Sequence, residues 1–307
     1  TYPATVNQYM AGNCNKALPQ FNKYISKFPN GNFIINAHFY RAECLFRNDT
    51  LNRGLEDYTF VVDQTGNSFT VEALTRLGTI YEQQKQWEEA FDIFVKKEKA
   101  AESDKHLLSA RIGQMRSAFK AELYPETIKA CNKLLSVEKL SDELKREIHF
   151  KKGLCYYRTQ QPQKALNELR MVSGEVNSLE GTRSKYLIAD IYYGQEEFNK
   201  AQQEIKDLIS QGSPHTYWVG KSFILLADIY HSKEEIFKAK ATLQSLINNY
   251  SRSDDGILDE ANEKLLAIIK AEKEQAYSEE DKEMELNFGE ETPVRDTIKQ
   301  EKKDSIK

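Results

Sequence analysis

Histidines, cysteines and paired glutamates are the residues of this 307-residue chain whose chemistry suits catalysis or metal binding. The five histidines stand apart at His38, His106, His149, His215 and His231. None belongs to a His-Glu-x-x-His pair, the spacing that puts two ring nitrogens on one helix face for zinc. Gly-x-Ser-x-Gly and phosphate-cradling glycine loops do not occur either. Cys14, Cys44, Cys131 and Cys155 form no Cys-x-x-Cys or Cys-x-x-x-His spacing, so a zinc site is not expected. The pairs Glu88-Glu89, Glu196-Glu197 and Glu234-Glu235 suit general acid-base work only in isolation. They recur with the repeat described next, at one position in or just before the first turn of a helix, where acids meet the positive end of the dipole. We read them as caps and solvation. The expectation is a chain with no catalytic residue, no cofactor and no metal.

The elements that must position any functional residue are set by a repeat of 36 to 38 residues. Its anchor is a small residue near the start of a second helix, at Ala17, Gly54, Ala90, Thr127, Ala165, Ala201 and Ala239. A fixed period of this length means stacked supersecondary units. The best-matched copies are Tyr186-Leu-Ile-Ala-Asp-Ile-Tyr-Tyr193 with Phe198 and Ala201, and Ile224-Leu-Leu-Ala-Asp-Ile-Tyr-His231 with Ile236 and Ala239. Small residues (Ala189, Ala227) and aromatics (Tyr192, Tyr230) three apart share one helix face. The small residue lets the helices of a pair approach, and the aromatic fills the space beside the next pair. No pair buries its apolar face alone, so each depends on its neighbour. Turn signals separate the repeats at Phe28-Pro-Asn-Gly31, Gln64-Thr-Gly-Asn67 and Gln211-Gly-Ser-Pro214. Pro19, Pro125 and Pro162 are expected near the first turns of second helices.

The same register assigns the reactive residues. His38 and His149 occupy equivalent positions and read as packing histidines. Each cysteine falls where other repeats carry an apolar or aromatic residue, and buried free thiols are the first reading. A disulfide between stacked neighbours, such as Cys14 with Cys44, is the alternative and needs an oxidising compartment.

Repeats account for residues 1–275, including a capping helix at about 257–275 whose stripe is Leu258, Ala261, Leu265, Ile268 and Ile269. Residues 276–307 hold ten acidic and six basic side chains, the whole of the net charge of −4, and read as a disordered tail. The solenoid is formally neutral, which gives no global attraction to nucleic acid or anionic lipid. No stretch approaches the roughly 18 apolar residues of a membrane span. The chain opens inside a repeat, without an initiator Met or a signal sequence, and we read it as a processed or cut piece of a longer protein.

With small residue, aromatic, bulky residue, Ala and aromatic in order, the repeat resembles the tetratricopeptide repeat. Gly78, Tyr81, Trp87, Ala90 and Phe94 match that pattern best, and the resemblance covers residues 1–255. The period is two to four residues longer than the usual 34, and Thr127 and Cys131 replace the expected Ala and aromatic. The resemblance implies an all-α, right-handed solenoid of about seven helix-turn-helix repeats with a C-terminal cap. It also implies that a peptide or partner protein binds the concave face built by the first helices. Carried over position by position, that groove takes Phe39, Phe46, Arg47, Arg116, Phe119, Lys120, Phe150, Tyr157, Arg158, Tyr186, Tyr193 and His231. Aromatics and arginines dominate binding hot spots. The competing reading packs these aromatics against adjacent repeats. The carboxylate clamp of chaperone-binding members is not matched, because its positions hold Ile112, Phe150, Tyr186, Arg116, Leu154 and Asp190. Tyr24-Ile-Ser-Lys-Phe-Pro-Asn-Gly, followed by Ala42-Glu-Cys-Leu45, is similar to envelope-associated bacterial members and tilts localisation toward the periplasm. A protein-binding module is the expected function, and a self-associating scaffold is the alternative.

Overall fold

The computed structural model describes residues 2–47 and 51–288, with side chains for 2–47 and 54–276. Among these residues the chain is helical throughout, with no strand. First and second helices alternate as α1 (Tyr2–Met10), α2 (Cys14–Lys27), α3 (Ile34–Arg47), α4 (Leu51–Asp63), α5 (Thr70–Gln83), α6 (Trp87–Ala100), α7 (Asp104–Lys120) and α8 (Tyr124–Leu135). They continue as α9 (Asp142–Arg158), α10 (Pro162–Arg170), α11 (Leu179–Gly194), α12 (Phe198–Gln211), α13 (Thr216–Ser232), α14 (Ile236–Asn249) and α15 (Ile257–Phe288). Each helix packs on its sequence neighbours, and the odd-numbered helices also touch one another, as α9 touches α11 and α11 touches α13. The core is accordingly spread along the chain as successive clusters.

The anchors explain the pairing. Ala17, Ala90, Thr127, Ala165, Ala201 and Ala239 are fully buried, and Gly54 is buried with them. The fourth repeat keeps this register despite Thr127, whose hydroxyl donates to the Leu123 carbonyl at 2.9 Å. Twelve residues before the anchor the first helix is also small at Ala42, Gly78, Gly153, Ala189 and Ala227, while the fourth repeat places buried Met115 there. A Cβ added to Gly78 falls 2.6 Å from the Phe94 ring, and one on Gly153 falls 2.8 Å from Leu169. Phe94 closes the next junction as well, because a Cβ on Gly113 of α7 falls 2.5 Å from it. One aromatic thus fixes the spacing of α5, α6 and α7.

Among the described residues, first helices end in a shared turn. Five residues before the anchor, Lys85, Glu122, Gln160, Glu196 and Glu234 all take φ of 55–60°. Gly12 holds this position in the first repeat. The next N–H reaches back five residues, as Glu197 N–H does to the Tyr192 carbonyl at 2.9 Å and Gln161 N–H to Tyr156 at 2.8 Å. This closure satisfies helix-end carbonyls and requires a left-handed residue.

Several expectations change here. Glu196 and Glu234 sit in that turn, while Glu88 and Glu89 lie in the first turn of α6, so the pairs do not share one position. The Glu197 and Glu235 side chains cap no helix. They pair instead with Lys200 and with Lys233 and Lys238. Pro125 and Pro162 lie in first turns, whereas Pro19 lies inside α2. The capping helix packs on α13 and α14 through Ile257, Ala261, Leu265 and Ile268. It runs to Phe288, past the expected end near 275, and the rest of the charged tail, 289–307, lies outside the described residues.

The cysteines divide. Cys14 and Cys44 form a disulfide between α2 and α3 with Cα atoms 5.2 Å apart, so the first reading of four free thiols is corrected for this pair. Cys131 and Cys155 are free and buried, and burial pushes both thiols up to about 12. A thiol held protonated is a poor nucleophile.

Two outcomes follow from this packing. Cys14→Ser with Cys44→Ser opens a loop of 30 residues and costs about 3–4 kcal/mol, read as a fall in the thermal midpoint, and an unchanged midpoint contradicts the disulfide. Gly113→Val places methyls against Phe94 and lowers stability by about 1–3 kcal/mol in urea unfolding, whereas wild-type stability means that α6 and α7 are not in close contact.

Candidate binding groove

The odd-numbered helices present one continuous face, and a ladder of side-chain contacts joins each to the next. Arg47 of α3 donates to Tyr9 Oη of α1 at 3.1 Å, with its guanidinium 4.7 Å from the Tyr9 ring. Arg76 of α5 grips Glu43 of α3 through Nε at 2.7 Å and Nη2 at 3.2 Å, and lies 4.9 Å from the Phe46 ring. Tyr58 of α4 also donates to Glu43, at 2.7 Å, so this buried carboxylate is fully occupied. Between α5 and α7 the contact is weaker, a 3.5 Å bond from Ser117 Oγ to Glu82. Burial raises the pKa of Glu82 above the usual carboxylate range.

Toward the middle the rungs change character. Arg116 of α7 grips Glu147 of α9 at 2.9 and 2.7 Å, and the Lys151 ammonium stands 4.3 Å from the Phe119 ring. Tyr157 of α9 donates to Asp190 of α11 at 2.5 Å. Burial, then this bond to a carboxylate, pushes the Tyr157 phenol up to about 12. Tyr193 of α11 shares a 3.2 Å hydrogen bond with Ser232 of α13, and Tyr186 packs on Trp218 with centroids 5.3 Å apart. Lys264 of α15 closes the ladder on Asp228 of α13 at 2.7 and 2.9 Å.

The twelve residues expected to line a groove therefore fall into three groups. Phe39 and Phe150 are 7% and 9% exposed and belong to the core, which corrects their placement on the open face. Phe39 stacks on Phe69 at 4.5 Å. Phe46, Phe119, Tyr157, Tyr186 and Tyr193 are half-buried, with ring faces or hydroxyls engaged by the next helix. Arg47, Arg116, Lys120, Arg158 and His231 are exposed. Of these cations Arg116 is tied to Glu147, while Lys120 and Arg158 make no ion pair among the described residues. The residues the sequence reading missed are Arg183, one turn before Tyr186 on α11, and Trp218 in the first turn of α13. The Arg183 guanidinium lies 4.7 Å from the Trp218 ring and 5.5 Å from Phe150. Phe119, Lys120, Leu154, Arg158 and Arg183 share a cavity of about 220 Å³.

The histidines that could have carried chemistry are committed to packing. His38 Nδ1 meets Asp57 at 2.6 Å and His149 Nδ1 meets Glu168 at 2.7 Å, each an acid 19 residues on in the paired helix. Lys185 and Glu204 repeat that staple at 2.8 Å. Among the described residues, no group of three or more His, Cys, Asp or Glu is placed to hold a metal, and no helix is long and apolar enough to cross a membrane.

Helical hairpins stacked on buried small anchors, with first helices laddered along one face, define an α-solenoid. Residues 72–96 match the family model of the tetratricopeptide repeat, and the chain has the fold of a tetratricopeptide-repeat solenoid. Its fold is similar to the C-terminal part of a TPR repeat-containing protein from Cytophaga hutchinsonii, with a TM-score of 0.55 and 16% identity over 85% of this chain and 99% of that one. A structure of Naa15/Naa10 bound to HypK-THB is similar at a TM-score of 0.54 and 12% identity, over 94% of this chain and 42% of that one. The sequence matches no curated protein.

Tyr157→Phe removes the donor to Asp190 and loosens the α9–α11 rung, at a cost of about 1–2 kcal/mol in urea unfolding. A variant as stable as wild type shows that the ladder does not hold these helices.

Proposed function

We propose that this chain is a protein-interaction scaffold that receives a peptide or partner segment on the face of its first helices, centred on α7, α9 and α11. The observation that carries this reading is the change in the ladder at its middle. Toward either end, Glu43 and Asp228 on this face are each matched by a cation of a neighbouring helix. Around α9 Arg116 is so matched, by Glu147, while Lys120 and Arg158 stand exposed beside half-buried Phe119 and Tyr157. Unspent cations next to aromatic surface held by neighbouring helices form a recognition surface of low ordering cost. The repeat architecture supports it, since a solenoid exposes one extended face without a closed pocket.

The disulfide between Cys14 and Cys44 favours an oxidising compartment, in line with a cell-envelope or secreted setting.

Lys120→Glu with Arg158→Glu tests the groove, because both side chains are exposed and leave the helices intact. In affinity capture with the full chain, partners bound by the wild type are lost by at least about tenfold from this variant at unchanged circular dichroism. Retention of the same partners removes the groove reading.

A further inference from the structure

Eleven residues before the anchor, four first helices offer a polar side chain to a neighbouring first helix or to the cap, whereas Thr79 of α5 bonds within its own helix. Glu43, Arg116 and Asp228 each meet an opposite charge there, and Asp190 meets the Tyr157 hydroxyl. On α9 the same position is Leu154. Across from it on α11, at the repeat position that Glu147 holds on α9, stands Arg183. The rung has its cation and lacks its acid. Arg183 makes no ion pair among the described residues, and its Nε is shut from solvent with no hydrogen-bond partner. Burial, and then the charge of Arg158, lower the pKa of its guanidinium. The rings of Phe150 and Trp218 hold the group in place, so its fork is oriented in advance.

Arg158 and Lys120 line the same cavity, whose one acid is Glu122. Three cations against one carboxylate leave an excess of two positive charges. A single carboxylate neutralises half of that, while a phosphoryl dianion matches it and offers three oxygens to two guanidiniums and an ammonium. A long polyanion fits poorly, because Glu82, Glu147 and Asp190 flank the cluster along the same face.

We propose that the Lys120–Arg158–Arg183 cavity binds a phosphoryl group carried on a side chain of the segment lying in the groove. The proposal rests on the groove reading above and specifies its ligand.

The chain reports on this site itself. Its two tryptophans are Trp218, under Arg183, and Trp87, whose ring lies 6.0 Å from the Lys120 ammonium. The test is a fluorescence titration of the full chain at fixed ionic strength. The probes are inorganic phosphate, acetate, and the capped tripeptide Ala-Ser-Ala in its phosphoserine form and with glutamate in place of serine. Saturable responses to phosphate and the phosphoserine peptide are expected, with none to acetate and much weaker binding of the glutamate peptide. Arg158→Gln, at an exposed site, weakens both responses about tenfold, and Arg183→Gln abolishes them. No saturable phosphate response, an equal response to acetate, or insensitivity to Arg158→Gln overturns the site. A response to free phosphate without one to the phosphoserine peptide overturns its role in reading a side chain. If capture still depends on Lys120 and Arg158 while phosphate is ignored, the groove stands and this assignment falls.

Discussion

Close contact between a small residue on one helix and a bulky side chain on the next governs this molecule. Ala90 and Gly78 allow α5 and α6 to approach until Phe94 touches both the Gly78 and the Gly113 backbone. Because Phe94 also sets the distance to α7, no hairpin is complete without its neighbour. The consequences extend to the surface. First helices brought this close must manage the side chains between them, and they do so with the ladder from Tyr9–Arg47 to Asp228–Lys264. Where the ladder is satisfied it is structure, and around Lys120, Arg158 and Arg183 it leaves cations without an ion pair among the described residues.

The anchors were readable because packing tolerates so little there: a buried position between two helices accepts Ala, Gly or Thr and little else. The repeat count and the pairing follow from those few residues, and the cap from its own apolar stripe. The turn that the described first helices share was not readable. A left-handed residue is usually signalled by glycine, yet here Lys85, Glu122, Gln160, Glu196 and Glu234 adopt it. The hydrogen bonds that close the turn outweigh the steric cost, so the conformation comes from context. The glutamate pairs misled for the same reason, since two of them belong to that turn and the third does not.

The candidate site was half legible. Repeat register found the exposed Arg158 and Lys120, because the face they occupy is fixed by the anchor. It could not tell which aromatics on that face are spent on the next repeat, since that depends on cross-helix partners such as Lys151 on Phe119 and Asp190 on Tyr157. Arg183 was invisible for a related reason. Its significance lies in the absence of an acid at Leu154, and an absent partner is evident only when the two helices are side by side. The cysteines show the converse: spacing offered Cys14 and Cys44 as a pair, and stacking α2 on α3 joined them.

The central claim is that the first helices around α9 receive a partner while the second helices provide support. Hydrogen–deuterium exchange on the chain, free and in its captured complex, addresses this directly. The account predicts that protection gained on binding concentrates in α7, α9 and α11, with α8, α10 and α12 little changed. Protection concentrated on the second helices, or at the ends of the solenoid, contradicts it.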